Sequence, residues 1–466
     1  MKNKLWDGKE VITVINGHGF TDWSASGISI DTRTINKGDI FFALPGPNFD
    51  GNDFINDAIR KGACAVISNK PSKISSDKVI FVNDVLRALL KLARHSRRRS
   101  NAKIIAITGS SGKTTLKEMI ANSLSVFGEV HKSKKSYNNI IGVSLSLASM
   151  PTNANYGIFE IGMNKKGEIA NLAKIVSPHI AIVNNAGKAH MGSFKDQQEI
   201  KKEKTSIVKG LTQGGSLIIN DNLLNEIGKI PNLNKNIKIF SFGDSKKANI
   251  KVVKYITHTD QSFLEVKLEH KELKYSVPFA RRHIALNTLP AILACQLTNN
   301  PYEEFIKEFE KFKPLKGRGD KYNINYFNKD ITIIDDSYNA NPDSMAASIN
   351  SLNEIRKDSS QRVIAFLGDM LELGSQSKIL HKKLAEVINL SNIDFVYAIG
   401  KEMRYLWEDI NFEKKGKAFS NVNELIPQLK NYLREGDIVL LKGSSGSNIS
   451  KINNQFISYK QLRKIA

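Results

Sequence analysis

The sequence predicts an α/β protein of three domains, spanning residues 1–100, 101–313 and 314–466. Three observations carry this prediction. Short apolar runs alternate with segments of helical periodicity, the pattern of sheets covered by helices. At 466 residues the chain is too long for one ordinary core. Its composition also breaks twice, at the basic run Arg94-His95-Ser96-Arg97-Arg98-Arg99 and at the basic Gly/Pro stretch Lys313-Pro314-Leu315-Lys316-Gly317-Arg318-Gly319.

In the first domain Ile28 to Ile30, Ile40 to Leu44, Ala65 to Ile67 and Val79 to Val82 read as strands, with a helix near Phe54 to Lys61. Two polar clusters interrupt it. Ser29, Asp31 and Arg33 alternate on one strand face, and Leu44 to Gly51, with Gly46 and Asp50, is turn-rich; by themselves both suit structural turns. A helix from Leu86 to Arg94 closes the domain and leaves the arginine run as a solvated helix end and linker.

The second domain reads as a parallel sheet covered on both faces. It opens on Ile104-Ile105-Ala106-Ile107-Thr108-Gly109-Ser110-Ser111-Gly112-Lys113-Thr114-Thr115, a β-branched strand breaking into a Gly/Ser turn before a helix. Gly109 and Gly112 let the backbone curl so that its N–H groups face an anion, as in a phosphate-binding loop. Lys113 supplies a charge for the outer phosphates and Thr114 a hydroxyl for Mg²⁺. The loop is shorter than the common form, with Ile107 standing where the first glycine is expected. Further on, Glu160 interrupts the apolar strand Ile158 to Gly162, either as a Mg²⁺ ligand or as an edge residue. A third strand, Ile180 to Val183, runs into Asn184, Asn185 and His190, at the kind of strand end where ligands collect. By itself His190 suits a structural histidine, and Lys204 a solvated lysine on the charged helix Glu199 to Lys209.

The third domain has strands Ile331 to Ile334, Val363 to Leu367, Phe395 to Ile399 and Ile438 to Leu441, with helices Met345 to Ile355 and Leu380 to Ile388. It is Rossmann-like but lacks the Gly-x-Gly-x-x-Gly fingerprint, so no dinucleotide is indicated.

The net charge of +22 raises nucleic-acid binding, yet the lysines are scattered and neither a DExx-type acidic motif nor sensor arginines accompany the loop. Anionic small substrates fit better. No apolar run approaches the ~18 residues of a membrane span, and Met1 to Gly17 has no signal-peptide core, so a cytoplasmic protein without membrane insertion is expected. Cys64 and Cys295 sit in apolar contexts as reduced thiols.

Taken in order, the motifs strongly resemble the Mur ligase family, ATP-dependent enzymes that build the bacterial cell-wall peptide. The resemblance spans nearly the whole chain: Thr108 to Thr115, Tyr137-Asn138-Asn139-Ile140-Ile141-Gly142, Glu160-Ile161-Gly162-Met163, Asn184-Asn185 through His190, and Glu203-Lys204. Asp335-Asp336-Ser337-Tyr338-Asn339-Ala340-Asn341-Pro342 and Leu367 to Gly374 look like the branch that adds D-alanyl-D-alanine. An Asp-Asn-Pro-Arg-type motif of the sibling that adds the third amino acid is absent. Two places depart from the pattern. Arg281-Arg282-His283-Ile284-Ala285-Leu286-Asn287 keeps His283 and Asn287 but has Arg281 where the family has Gly and Ile284 where it has Asn, and Lys442-Gly443-Ser444-Ser445 has Ser where many relatives have Arg.

The resemblance implies a full set of roles. UDP-N-acetylmuramoyl-tripeptide and D-alanyl-D-alanine are the substrates, joined through an acyl phosphate made from ATP. Gly109, Ser110, Ser111, Gly112, Lys113, Thr114 and Thr115 hold the nucleotide with His283, Asn287, Arg318 and Asp336; a cap before the Pro342 helix is the structural alternative for Asp336. Thr114, Glu160, His190 and a carbamylated Lys204 bind two Mg²⁺ ions, and catalysis is assigned to Lys113, Glu160, His190, Lys204 and Arg318. Ser29, Asp31, Arg33, Gly46 and Asp50 take the UDP-sugar; Asn138, Asn139, Tyr338, Asn339 and Asn341 bind substrate, Asn339 and Asn341 facing ATP or the incoming dipeptide. The expected enzyme is a monomer whose three domains close around one cleft.

Overall fold

The computed structural model describes residues 4–70, 77–134, 136–231, 233–258, 261–353, 355 and 361–465. At the N-terminal end β1 (Trp6–Asp7) pairs antiparallel with β2 (Ser24–Ala25), beside a parallel sheet of β3 (Gly27–Ser29), β4 (Asp39–Phe42), β5 (Ala65–Ser68) and β6 (Val79–Phe81), in that order.

The central sheet has nine strands: β7 (Lys103–Thr108), β8 (Val130–Lys132), β9 (Tyr156–Glu160), β10 (Ile180–Val183), β11 (Ser216–Asn220), β12 (Lys238–Gly243), β13 (Ile250–His258), β14 (Gln261–Leu268) and β15 (Lys271–Val277). Their spatial order is β15-β14-β13-β12-β11-β10-β7-β9-β8. Strand β7 shows why it lies deep: Ile104 and Ala106 enter the core on one face, Ile105 and Ile107 the core on the other, and all four are fully buried. Each such isoleucine contributes roughly 1.5–3 kcal/mol of burial. The helix that follows, Lys113–Leu124, packs Leu116, Met119 and Ile120 into the second of these cores.

The expectation of a wholly parallel central sheet is corrected here. From β13 onward the pairing is antiparallel. The sequence of β14 explains it, because Ser262, Leu264, Val266 and Leu268 are buried while Gln261, Phe263 and Lys267 are exposed, the alternation of a strand with one wet face.

The C-terminal sheet comprises β16 (Asp320–Asn325), β17 (Asp330–Asp336), β18 (Val363–Gly368), β19 (Phe395–Ile399), β20 (Lys415–Phe419) and β21 (Ile438–Lys442), in the order β16-β17-β21-β18-β19-β20. All pairs are parallel except β16 with β17. Strands β16 and β20 lie at the sheet edges; β16 is mostly polar and β20 is Lys-Gly-Lys-Ala-Phe, so no apolar run marked either.

A second correction concerns the arginine run. The helix extends over Val85–Arg99, so the run is helical and half-buried rather than a solvated linker. Arg97 donates to the carbonyls of Val176 (3.0 Å) and Ser177 (2.9 Å), at the end of the helix Glu168–Val176. The Arg99 guanidinium lies 3.3 Å from the centroid of the buried Trp6 ring and bonds Glu10 at 3.2 Å. These cations hold the N-terminal elements to the central sheet. Cys64 and Cys295 are free thiols, and no helix among the described residues is long and apolar enough to cross a membrane.

Candidate active site

The turn after β7 is built as its residue types require. Gly112 adopts φ 76°, and a Cβ there would stand 2.8 Å from the Asn184 amide nitrogen. The Asn185 side-chain oxygen accepts the Ser110 and Ser111 N–H groups at 2.9 and 3.0 Å, while its amide donates to the Ser111 carbonyl at 3.1 Å. Asn184 bonds Asn287 at 3.0 Å, tying the loop to the helix Thr288–Gln296. The loop is thus fixed at the N-terminus of the helix Lys113–Leu124, where an anion is favoured.

This loop forms one wall of a cleft of roughly 530 Å³ between the central and C-terminal sheets. Ser110, Ser111, Gly112, Lys113, Thr114, Thr115, Asn138, Glu160, His283 and Asn287 line it from the central side. Arg318, Asp336, Tyr338, Asn339 and Asn341 line it from the other. Gly109 contributes its carbonyl, which accepts from Lys113 Nζ at 2.7 Å. Burial pulls the Lys113 ammonium below its ordinary pKa, against the opposing pull of Glu160.

Glu160 ends β9 at 1% exposure. One carboxylate oxygen accepts from Thr114 Oγ1 at 2.7 Å and the other from the Asn138 amide at 2.8 Å. Neither partner carries charge, so this buried anion and the Thr114 hydroxyl form a hard oxygen pair suited to a divalent cation. Across the cleft Ser136 gathers three contacts: Arg318 at 3.1 Å, Tyr338 Oη at 2.7 Å and Thr114 Oγ1 at 3.3 Å. The Arg318 guanidinium also lies 3.9 Å from the Tyr338 ring centroid. Ser136 escaped sequence reasoning because one serine beside Tyr137 has no pattern; its place before the Asn138-Asn139 pair was the available signal.

On the C-terminal side Asp336 accepts from Lys442 Nζ at 2.8 Å and from Ser348 Oγ at 2.5 Å. Burial raises its carboxyl, but Lys442 and Arg281 outweigh that and hold it at about 2. Capping of the Pro342–Leu352 helix falls instead to Asn341, whose side chain accepts the Ser344 N–H at 2.9 Å while its amide approaches the Ser110 carbonyl at 3.4 Å. Burial, then Arg281, pushes His283 down to about 3, so it is neutral at working pH. Lys442 and Ser445 also line the cleft.

Other expected residues stand apart from this lining. His190, with φ 60°, places Nδ1 2.7 Å from the Glu372 carboxylate of the C-terminal half, and no hydrogen bond joins it to Glu160. Lys204 is 1% exposed, contrary to the solvated reading of its helix. Among the described residues its nitrogen meets only the Met163 sulfur, 3.7 Å away, and burial with the nearby Lys113 drives its pKa well down. Glu203 caps the helix Glu168–Val176, accepting the Gly167 and Ile169 N–H groups at 2.8 and 2.9 Å. Asn139 caps the helix Ile140–Ala148 through the Gly142 N–H at 2.8 Å.

The N-terminal candidates form a separate group. Ser29 Oγ donates to the Asp31 carbonyl at 3.0 Å, and Asp31 pairs with the exposed Arg33 at 2.7 Å. Asp50 pairs with Lys70 at 2.6 Å, and the Gly46 N–H closes the turn on Phe49. A second hollow of roughly 370 Å³ lies beside this turn, between Leu44, Pro45, Asn69, Asn83 and Ile141.

Three family models match in succession: the Mur ligase family catalytic domain over residues 24–108, the Mur ligase middle domain over 107–295, and the Mur ligase glutamate ligase domain over 323–445. The UDP-N-acetylmuramoyl-tripeptide--D-alanyl-D-alanine ligase of Rickettsia prowazekii is 36% identical over 452 residues, 96% of this chain and 99% of the relative. The chain belongs to the Mur ligase family. Among solved structures, a crystal structure of MurF from Acinetobacter baumannii matches this Mur ligase with a TM-score of 0.84 at 26% identity, covering 97% of this chain and 99% of that one. A MurF ligase from Thermotoga maritima in complex with ADP matches with a TM-score of 0.79 at 25% identity, covering 94% and 98%. The likeness therefore runs over nearly the whole chain, including the central and C-terminal sheets between which the cleft lies.

Proposed function

We propose that this Mur ligase joins D-alanyl-D-alanine to UDP-N-acetylmuramoyl-tripeptide, forming ADP and phosphate and completing the pentapeptide precursor of peptidoglycan. The observation that carries the reading is the meeting of a phosphate-binding loop and a buried Glu160–Thr114 oxygen pair with Arg318, Asp336 and Asn341 across one cleft. Curated relatives of 30–36% identity bearing that activity in their names support it, as does the ADP-bound neighbour.

Chemistry dictates the order of steps. A carboxylate is a poor electrophile, so the tripeptide's terminal carboxylate first attacks the γ-phosphate of ATP to give an acyl phosphate. The dipeptide amine then attacks the acyl carbon, and phosphate leaves. Phosphoryl transfer leaves the protein chiefly positioning and charge neutralisation. Lys113 and the N–H groups of Ser110 to Thr115 hold the outer phosphates. Arg318, stacked on Tyr338, adds positive charge from the closing side, and Asp336 with Lys442 meets the nucleotide there.

Thr114 and Glu160 fit Mg²⁺, which supplies charge neutralisation on the phosphates, and His190 is offered as a further ligand. Lys204 fits a lysine carbamate: a buried amine with a lowered pKa and no oxygen partner among the described residues can attack CO₂ and release a proton, and the anionic carbamate so formed would be balanced by the nearby Lys113. Residues 1–100 would hold the UDP-sugar through the Ser29–Arg33 and Leu44–Gly51 segments, residues 101–313 the nucleotide and residues 314–466 the dipeptide. The enzyme is read as a cytoplasmic monomer.

Isotope transfer tests the mechanism. With ¹⁸O in the tripeptide carboxylate, one label appears in the released phosphate. Unlabelled phosphate would show that water attacks ATP directly and would overturn the acyl-phosphate route.

A further inference from the structure

Arg281 lies where β15 gives way to the short helix Arg282–Ala285, on the central side, and reaches the C-terminal half. Its Nη1 stands 3.5 Å from Asp336 Oδ2, the oxygen that also receives Lys442 and Ser348. That separation exceeds the ~2.7–3.2 Å of an N–H···O hydrogen bond. The side chain is 5% exposed, and neither terminal nitrogen has a hydrogen-bond partner among the described residues. Buried donors are nearly always bonded, so an arginine held in this way marks an arrangement not yet fully closed.

Its surroundings point to what would complete it. The guanidinium crosses the linker beside Gly319, where a Cβ would stand 2.3 Å from Nη1, so it lies against the segment about which the two halves must turn. Lys442 and, on its own element, His283 face it on the cleft side; Asp320 shares the hollow on the linker side, but the carboxylate oxygen in ion-pair range is that of Asp336. Asp336 is therefore the acceptor at hand, and it lines the cleft.

We propose that Arg281 is an interdomain latch, a positioning residue whose hydrogen bonds to Asp336 form as the C-terminal half tightens onto the central half, setting the Asp336–Lys442 pair over the bound nucleotide. Its kinetic consequence rests on the ligase reading above; its conformational consequence does not.

The test uses the full chain, wild type and R281M and R281K. Trypsin cleavage after Lys316, exposed in the linker, and small-angle scattering with and without ADP report closure. Steady-state assays report KM and kcat. In R281M, cleavage accelerates about tenfold and ADP no longer compacts the molecule, as expected for a lost cross-domain charge contact. KM for the dipeptide rises about tenfold with a smaller fall in kcat, and R281K, which keeps the charge, recovers most of each effect. Wild-type cleavage and scattering in R281M would overturn the latch. So would wholesale loss of folding in both variants, which would assign Arg281 to the core alone. Altered closure in R281M without any dipeptide ligation by the wild type would leave the latch standing and sink the ligase reading instead.

Discussion

Replacing Lys204 with Met separates a residue kept for chemistry from one kept for stability. The Lys204 side chain is 1% exposed and its nitrogen meets only a sulfur, 3.7 Å away, among the described residues, whereas a buried polar group without a proper partner costs about 1–3 kcal/mol. Met retains the apolar stem and removes that cost. In CO₂-free buffer at neutral pH, K204M should therefore be more stable than wild type by about 1–3 kcal/mol, raising the melting temperature by roughly 2–4 °C per kcal/mol for a domain of this size. The sign of the pH dependence follows from the lowered pKa. The unfolded lysine keeps its proton up to about 10.4 and the folded one releases it at lower pH, so wild-type stability rises with pH across that interval and the advantage of K204M shrinks as pH approaches ~10.4. Activity moves the other way. Loss of a carbamate ligand should lower kcat by about 10²–10³, and stripping CO₂ from wild type should lower it reversibly, with bicarbonate restoring it. Calorimetry across pH and a coupled ADP assay measure both halves. A destabilised K204M that retains activity would refute the reasoning, because it would make Lys204 a packing residue.

Three further outcomes follow from the same geometry. D336N leaves Lys442 and Arg281 buried without their shared anion and should cost about 3–5 kcal/mol in urea unfolding; because Asp336 is held at about 2, the stability it gives wild type persists at neutral pH and is lost as pH falls below about 4 toward 2, a limb D336N should lack. R97A removes the bonds to the Val176 and Ser177 carbonyls and should cost about 1.5–3 kcal/mol while leaving KM and kcat at 25 °C unchanged; a kinetic defect in a fully folded variant would contradict this role. R318K keeps the charge but cannot both stack on Tyr338 and reach Ser136 in a planar fork, so KM for ATP should rise about tenfold, read by initial rates; an unchanged KM would remove Arg318 from the nucleotide site.

What could be read from the sequence was chemistry confined to one strand end. Ile104 to Thr115 specifies a strand, a tight turn and a helix within a single segment, so its form is local. Glu160 was legible because a carboxylate in an apolar strand demands a partner, which Thr114 and Asn138 provide. Lys204 was not legible from its residues alone: the helix Gln197–Thr205 is charged nearly all round, and the lysine is buried by tertiary packing that includes Met163. The arginine run misled for a related reason. Arg97 and Arg99 satisfy carbonyls and a ring supplied by distant segments, which no local pattern announces. The antiparallel strands β14 and β15 escaped because a half-wet hairpin gives a weaker signal than a buried parallel strand.

The central claim is ligation of the dipeptide at the cleft between the central and C-terminal sheets. Its most direct test is product mass together with ADP yield from purified protein given ATP, Mg²⁺ and UDP-N-acetylmuramoyl-tripeptide, with and without D-alanyl-D-alanine. ADP should appear only when both substrates are present, with a product heavier by one dipeptide unit for each ADP. ADP release indifferent to the dipeptide, or driven by a single amino acid or by nucleic acid, would contradict it.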